Sequence, residues 1–274
     1  MSSIIVLRQR SSVHLMCDAA AYEQPDGILR SVDLKKCHAM PSLSATVSCT
    51  GPAMLSGWFG LKLPQVAESF DDLIARYREI LPSLFEQYAN EMRGGDASST
   101  LYLIGWHGAK QRPAAYSIEL FTDKSTRIKQ MIKNGLPGTP LPRPYELEET
   151  ILGGTPMPGP DLLEAAGLSF PDDENEMSPE IDLLHLMEVQ RHERIEGAHW
   201  VGGNALLTSI DRRGIVQRIV HHWQEDKVGD VISPLPIDWP AWRAARVASS
   251  PVPMMSRLKR EMQERKARKD RRTA

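Results

Sequence analysis

The chain has 274 residues, enough for one large domain with a sizeable buried core or for two small ones. Its 33 Lys and Arg nearly balance 35 Asp and Glu, for a formal net charge of -2, which argues against broad nucleic-acid binding. The hydrophobic share of 41% is ordinary for a globular protein, and no apolar run approaches the roughly 18 residues of a membrane span.

Residues 2–7 (SSIIVL) and 13–17 (VHLMC) are β-type runs parted by the polar RQRSS, which predicts a hairpin. The first run is short and meets Arg8 and Arg10 at once, unlike a secretory signal, so a cytoplasmic location is expected. Cys17, Cys37 and Cys49 are odd in number and lack zinc spacing; they predict small buried thiols, not disulfides or metal ligands. Gln24-Pro25-Asp26-Gly27 reads as a turn. Leu43–Cys49 alternates like a half-buried strand and stops at Thr50-Gly51-Pro52.

Ser69 then caps a helix, with Asp71 and Asp72 in its first turn and Phe70, Leu73, Ile74, Tyr77, Leu81 and Leu84 at helical spacing. Pro82 predicts a kink or a split, and Gly94-Gly95-Asp96 ends the segment. Thr100–Trp106 and Ala114–Phe121 are two further strands. Residues 134–182 hold nine prolines and the acidic run 172–176, so 134–180 is expected to be a Pro-rich excursion. It reads as a cover over a site, a contact arm or an irregular surface loop.

A helix over Ile181–Arg194 follows, then a strand–turn–strand over Ala205–Ile210, Asp211–Gly214 and Ile215–Trp223. From Arg257 to Ala274, nine Lys and Arg meet three acids, a local charge of +6. The expected organisation is therefore one domain over 2–245 and a basic tail over 246–274, which either docks on an acidic neighbour or is simply solvated.

The chain start carries the chemistry. Ser2 has a small side chain that permits removal of Met1, which would leave Ser2 with a free amine beside its own hydroxyl. Such an amine titrates near 7.7–8.0, so one residue can supply nucleophile and general base together. The site then needs a cation to lower both pKa values and an acid to hold that cation. Asp18 lies 16 residues after Ser2, where a hairpin would return it beside Ser2, and Lys36 lies 18 residues further on.

The start SSIIVL, then VHLMCDAAAY and LKKCHAM, resembles the opening of proteasome-type β subunits, members of the N-terminal-nucleophile (Ntn) hydrolases together with the HslV peptidase. SATVSCTGPA resembles the strand and glycine turn before the first helix of that family, and SFDDLIARYREIL resembles that helix. TLYLIGWHGAKQRPAAYSIELF is similar to the following hairpin, and GAHWVGGNALLTSIDRRG to the late Ser-Gly-Gly strand. The likeness is colinear over most of residues 2–123 and 181–223.

The resemblance implies an α+β, four-layer αββα sandwich and homo-oligomeric rings, with an ATPase or another protein as partner. It implies Ser2 as nucleophile and base, Lys36 as the pKa-lowering cation, Asp18 as its partner, and a backbone N–H near Ser48 as oxyanion donor, with a peptide or amide as substrate. No cofactor or metal is implied, and His185, His192 and His199, seven apart, read as packing residues. The family carries Asp and Ser where this chain has Ala198 and Val201, and begins with Thr. Three readings follow: an Ntn peptidase acting through Ser2, a catalytically silent subunit that builds a ring or scaffold, and an amidase of the same superfamily acting on a small metabolite.

Overall fold

A computed structural model describes residues 3–23, 26–91, 98–121 and 146–249 of the chain. Ser2, Gln24 and Pro25 of the first turn, Gly94–Asp96, the start of the Pro-rich excursion and the basic run 257–274 lie outside those residues.

β1 (Ile4–Arg8) and β2 (Ser12–Asp18) form the expected hairpin, with Ile4 opposite Cys17. β3 (Ala21–Glu23) and β4 (Ile28–Ser31) flank the first turn as a small separate ladder. The strand expected over 43–49 is shorter, β6 (Ala45–Cys49). It is preceded by β5 (Cys37–Met40) and a single helical turn, Pro41–Leu43, that closes at Ser44 in the left-handed region.

Helix α1 (Leu55–Val66) corrects the sequence reading, which placed the first helix after Ser69. Gly57, Gly60 and Pro64 lower its helix propensity and hid it. Packing overrides that penalty: Leu55, Phe59 and Leu63 are fully buried. Ser69 does cap α2 (Phe70–Ala75), accepting the N–H of Asp72 at 3.1 Å. The break expected at Pro82 falls instead at Arg76, and Pro82 sits inside α3 (Tyr77–Glu91). As the sixth residue of that helix, Pro82 has no N–H to give to the carbonyl of Arg78.

β7 (Ser98–His107) and β8 (Arg112–Phe121) form the long hairpin. The described part of the Pro-rich excursion is less irregular than expected. Its β9 (Glu148–Glu149) pairs with β8 and its β10 (Leu152–Thr155) pairs with β1. A short helix α4 (Pro160–Ala165) follows, then a wide helical turn, Pro179–Leu183, that leads into α5 (Leu184–His192). β11 (Asn204–Asp211) and β12 (Gly214–His222) complete the last hairpin.

Among the described residues the strands make two five-stranded sheets, ordered β10-β1-β2-β11-β12 and β5-β6-β7-β8-β9, so the class is α+β. Strand alternation explains how they pack. Ile4, Val6, Val13, Leu15 and Cys17 of the first sheet meet Tyr102, Ile104 and Ala115 of the second in one buried layer. The opposite faces of β7 and β8, through Leu101, Leu103, Tyr116 and Ile118, pack on α1, α2 and α3. Gly105 permits the approach of α2, since a Cβ there would lie 2.7 Å from the Phe70 ring. Helix α5 is buried on every side from Leu184 to Arg191.

The chain divides into two compact units after Pro236. The second contributes one described helix, α6 (Trp239–Ser249), which runs across the composition change placed at 245/246. Among the described residues no helix is long and apolar enough to cross a membrane.

Candidate active site

β2 ends on Asp18, whose side chain is fully buried. One carboxylate oxygen, Oδ1, accepts the N–H of Ser3 at 2.8 Å and the ammonium of Lys36 at 2.8 Å. The other, Oδ2, accepts the N–H of Ala20 at 3.2 Å and that of Gly202 at 3.4 Å. The Asp18 N–H in turn donates to the carbonyl of Ser3 at 3.2 Å. At this end of the β1–β2 ladder a carboxylate therefore takes the place of one backbone acceptor. Ser2, the proposed nucleophile, lies outside the described residues, but Ser3, to which it is bonded, is wholly buried against Asp18.

Lys36 lies in the extended lead into β5 and is only 5% exposed. Its approach is held by two contacts: Leu34 donates its N–H to the carbonyl of Ala19 at 2.9 Å, and the Ser48 hydroxyl donates to the Lys36 carbonyl at 2.8 Å. Sequence reasoning thus brought Asp18, Lys36 and Ser48 to one place, although Ser48 acts there through its side chain.

The register of β6 corrects the oxyanion assignment at Ser48 itself. Thr50 donates its N–H to Thr100 and Trp106 donates to Ser44, which fixes the even-numbered residues of β6 as the hydrogen-bonded pairs with β7. The N–H of Ser48 is therefore given to Tyr102. Alternation turns the N–H of the next residue, Cys49, to the β5 side, where Lys36 leads in.

A second buried ion pair, missed in the sequence, holds the neighbouring Gly202-Gly203 segment. Arg191, at the end of α5, is fully buried and forks onto Asp226 with distances of 2.9 Å and 2.6 Å. It also donates to the carbonyl of Val201 at 2.7 Å and to Glu225 at 3.0 Å, and its guanidinium lies over the Trp223 ring. Asp226 accepts the N–H of Gly203 at 2.7 Å. Gly203 has φ +78, and a Cβ there would lie 2.3 Å from the Val32 carbonyl oxygen, so glycine is required. A basic residue within an otherwise buried helix, followed by an acidic pair after Trp223, was the available signal.

Gln190, one residue earlier, takes the hydrogen bond of the Ser3 hydroxyl and donates from Nε2 to the carbonyl of Pro156 at 2.7 Å. Ala198 and Val201 carry no side-chain donor or acceptor. His192 and His199 are engaged by backbone carbonyls of Glu188, Leu235 and Arg191. Cys17 and Cys37 flank Asp18 and Lys36 in sequence and face the layer between the sheets. Hydrogen bonding to Cys37, then burial, raises the Cys17 thiol. On Cys37 burial acts the same way, but hydrogen bonds from Cys17 and Thr208 and the charge of Lys35 prevail and its pKa is lowered.

Models of known protein families give no match to the chain, and neither do curated proteins. The site's meaning therefore rests on its own chemistry. It holds a buried ammonium–carboxylate couple beside Ser3, with backbone N–H groups converging on the carboxylate.

Proposed function

We propose that the chain is a proteasome-type Ntn hydrolase, a four-layer αββα sandwich that cleaves peptide or other amide bonds through Ser2 once Met1 is removed. The observation that carries this reading is the buried Lys36–Asp18 pair, 2.8 Å apart, whose carboxylate also accepts the N–H of Ser3. The layers are supported by the packing of α1–α3 on one sheet and by α5, buried from Leu184 to Arg191, whose Gln190 accepts the hydroxyl of Ser3 just before β1.

Set beside the chain start, the Lys36 ammonium favours the neutral amine and the ionised hydroxyl of a free Ser2. The Ser2 Oγ attacks the substrate carbonyl and its proton passes to the α-amine. That proton then goes to the leaving nitrogen as the C–N bond breaks, leaving an ester on Ser2. Water, deprotonated by the same amine, hydrolyses the ester. Donors near Ser48, with the Cys49 N–H first among them, would face the developing oxyanion. The same reading extends to assembly as a homo-oligomeric ring, which sedimentation would measure, and to an ATPase or other protein partner.

Mass spectrometry and a small amide substrate test it. A mature chain beginning at Ser2, with hydrolysis abolished by Ser2→Ala, is the expected result; a retained Met1 refutes it. The second reading, a silent ring-forming subunit, draws on Ala198 and Val201, and predicts no hydrolysis to be lost.

A further inference from the structure

We infer that Gln190 is a positioning residue for Ser2, acting through Ser3; this rests on the Ntn reading above. Three observations lead there. First, Ser3 is gripped at three atoms: its N–H by Asp18, its carbonyl by the Asp18 N–H, and its hydroxyl by Gln190. Because a peptide unit is planar, holding the N–H of one residue also fixes the plane through which the preceding residue is attached.

Second, the orientation of the Gln190 amide is determined. The carbonyl of Pro156 can only accept, so Nε2 must face it, at 2.7 Å. Oε1 then faces Ser3, whose hydroxyl must be the donor. A flipped amide would set acceptor against acceptor at the Pro156 end. Gln190 is thus a two-ended strut between the start of β1 and the chain just beyond β10.

Third, the strut is buried and rigidly based. Gln190 is 1% exposed and Ser3 is 0% exposed, and Gln190 projects from a helix that is buried from Leu184 to Arg191. A buried amide with both ends satisfied fixes geometry far better than a solvated one.

The test uses the full chain and a peptidyl β-lactone, which acylates a nucleophilic hydroxyl as its ring C–O bond opens; the freed alkoxide takes up the proton. Adducts at Ser2 are located by mass spectrometry, and the saturation rate is separated from the half-saturation concentration. Gln190→Met and Ser3→Ala should each lower the saturating rate about tenfold or more with half-saturation little changed. The double variant should be no slower than the slower single one, because both act through one contact. Labelling of Gln190→Met at the wild-type rate, or losses that multiply, overturns the inference and leaves the Ntn reading standing. A wild-type chain unlabelled at Ser2 removes that reading and the inference with it. Should Gln190→Met fail to fold, Ser3→Ala decides alone, since it deletes a single hydroxyl; its full-rate labelling overturns the role of the strut.

Discussion

Replacing Asp18 by Asn would strand the Lys36 ammonium in a site where it is 5% exposed and 2.8 Å from its carboxylate. Removing one partner of a buried ion pair costs about 3–5 kcal/mol, because the remaining charge stays desolvated. Lys36→Met is the gentler change. It leaves the carboxylate with three backbone donors, from Ser3, Ala20 and Gly202, so its cost should fall to about 1–3 kcal/mol. With the ammonium already gone, Asp18→Asn creates no orphan cation. The double variant should therefore be more stable than the summed single losses imply, by on the order of 2 kcal/mol. Urea unfolding of the four proteins gives the cycle directly. Single losses below about 1 kcal/mol that simply add would refute a buried, coupled pair.

Three other outcomes follow from the fold. Burial, then the charge of Arg218, lowers the pKa of His14 to about 4, against 6.5 for the free imidazole, while Asp211 opposes the shift. The unfolded chain holds the extra proton between those values, so stability should fall by up to about 3 kcal/mol as pH drops from 6.5 to 4. His14→Gln should flatten that slope in urea midpoints measured against pH. Arg191→Lys keeps the charge but loses the fork onto Asp226, and should cost about 1–3 kcal/mol in the same assay; an unchanged midpoint would show the fork to be without weight. Gly105→Ala drives a methyl to 2.7 Å from the Phe70 ring and should destabilise by about 1–3 kcal/mol. Wild-type stability in that variant would mean α2 does not approach β7 so closely.

The residues that alternate or punctuate were readable in the sequence. The hairpins β1–β2, β7–β8 and β11–β12 announce themselves by apolar runs parted by polar turns, and Ser69 by its capping side chain. What escaped was structure decided at long range. Helix α1 carries two glycines and a proline and is held by the sheet it covers. β9 and β10 have no pattern of their own and exist because the edges of β8 and β1 accept them. At the site, the offset from Ser2 to Asp18 was visible, since a hairpin of that length brings its ends together, whereas Lys36 was singled out by the resemblance of Lys35-Lys36 to the family's paired lysines. The role of Gln190 was not visible, because its partner Ser3 lies 187 residues away in the chain, and Arg191 and Asp226 left only the faint signal of a basic residue in an apolar helix and a later acidic pair.

Ala198 and Val201, where the family that the chain start resembles carries Asp and Ser, bear differently on shape and on chemistry. The segment that carries them is held by backbone groups: the Val201 carbonyl on Arg191, the Gly203 N–H on Asp226 and the Gly202 N–H on Asp18. Its conformation thus survives without the two side chains, so Ala198 and Val201 remove only side-chain partners for a terminal amine. The Lys36–Asp18 couple points the other way. A scaffold gains nothing from it, since well-packed apolar residues in place of a buried ion pair are commonly neutral or stabilising by about 1–4 kcal/mol. A carboxylate that converges four donors, one of them an ammonium, beside Ser3 is costly to build for structure alone. It is well matched to a neighbouring group whose proton must be loosened, and that is the physical reason to test Ser2 for chemistry before treating the chain as a silent subunit.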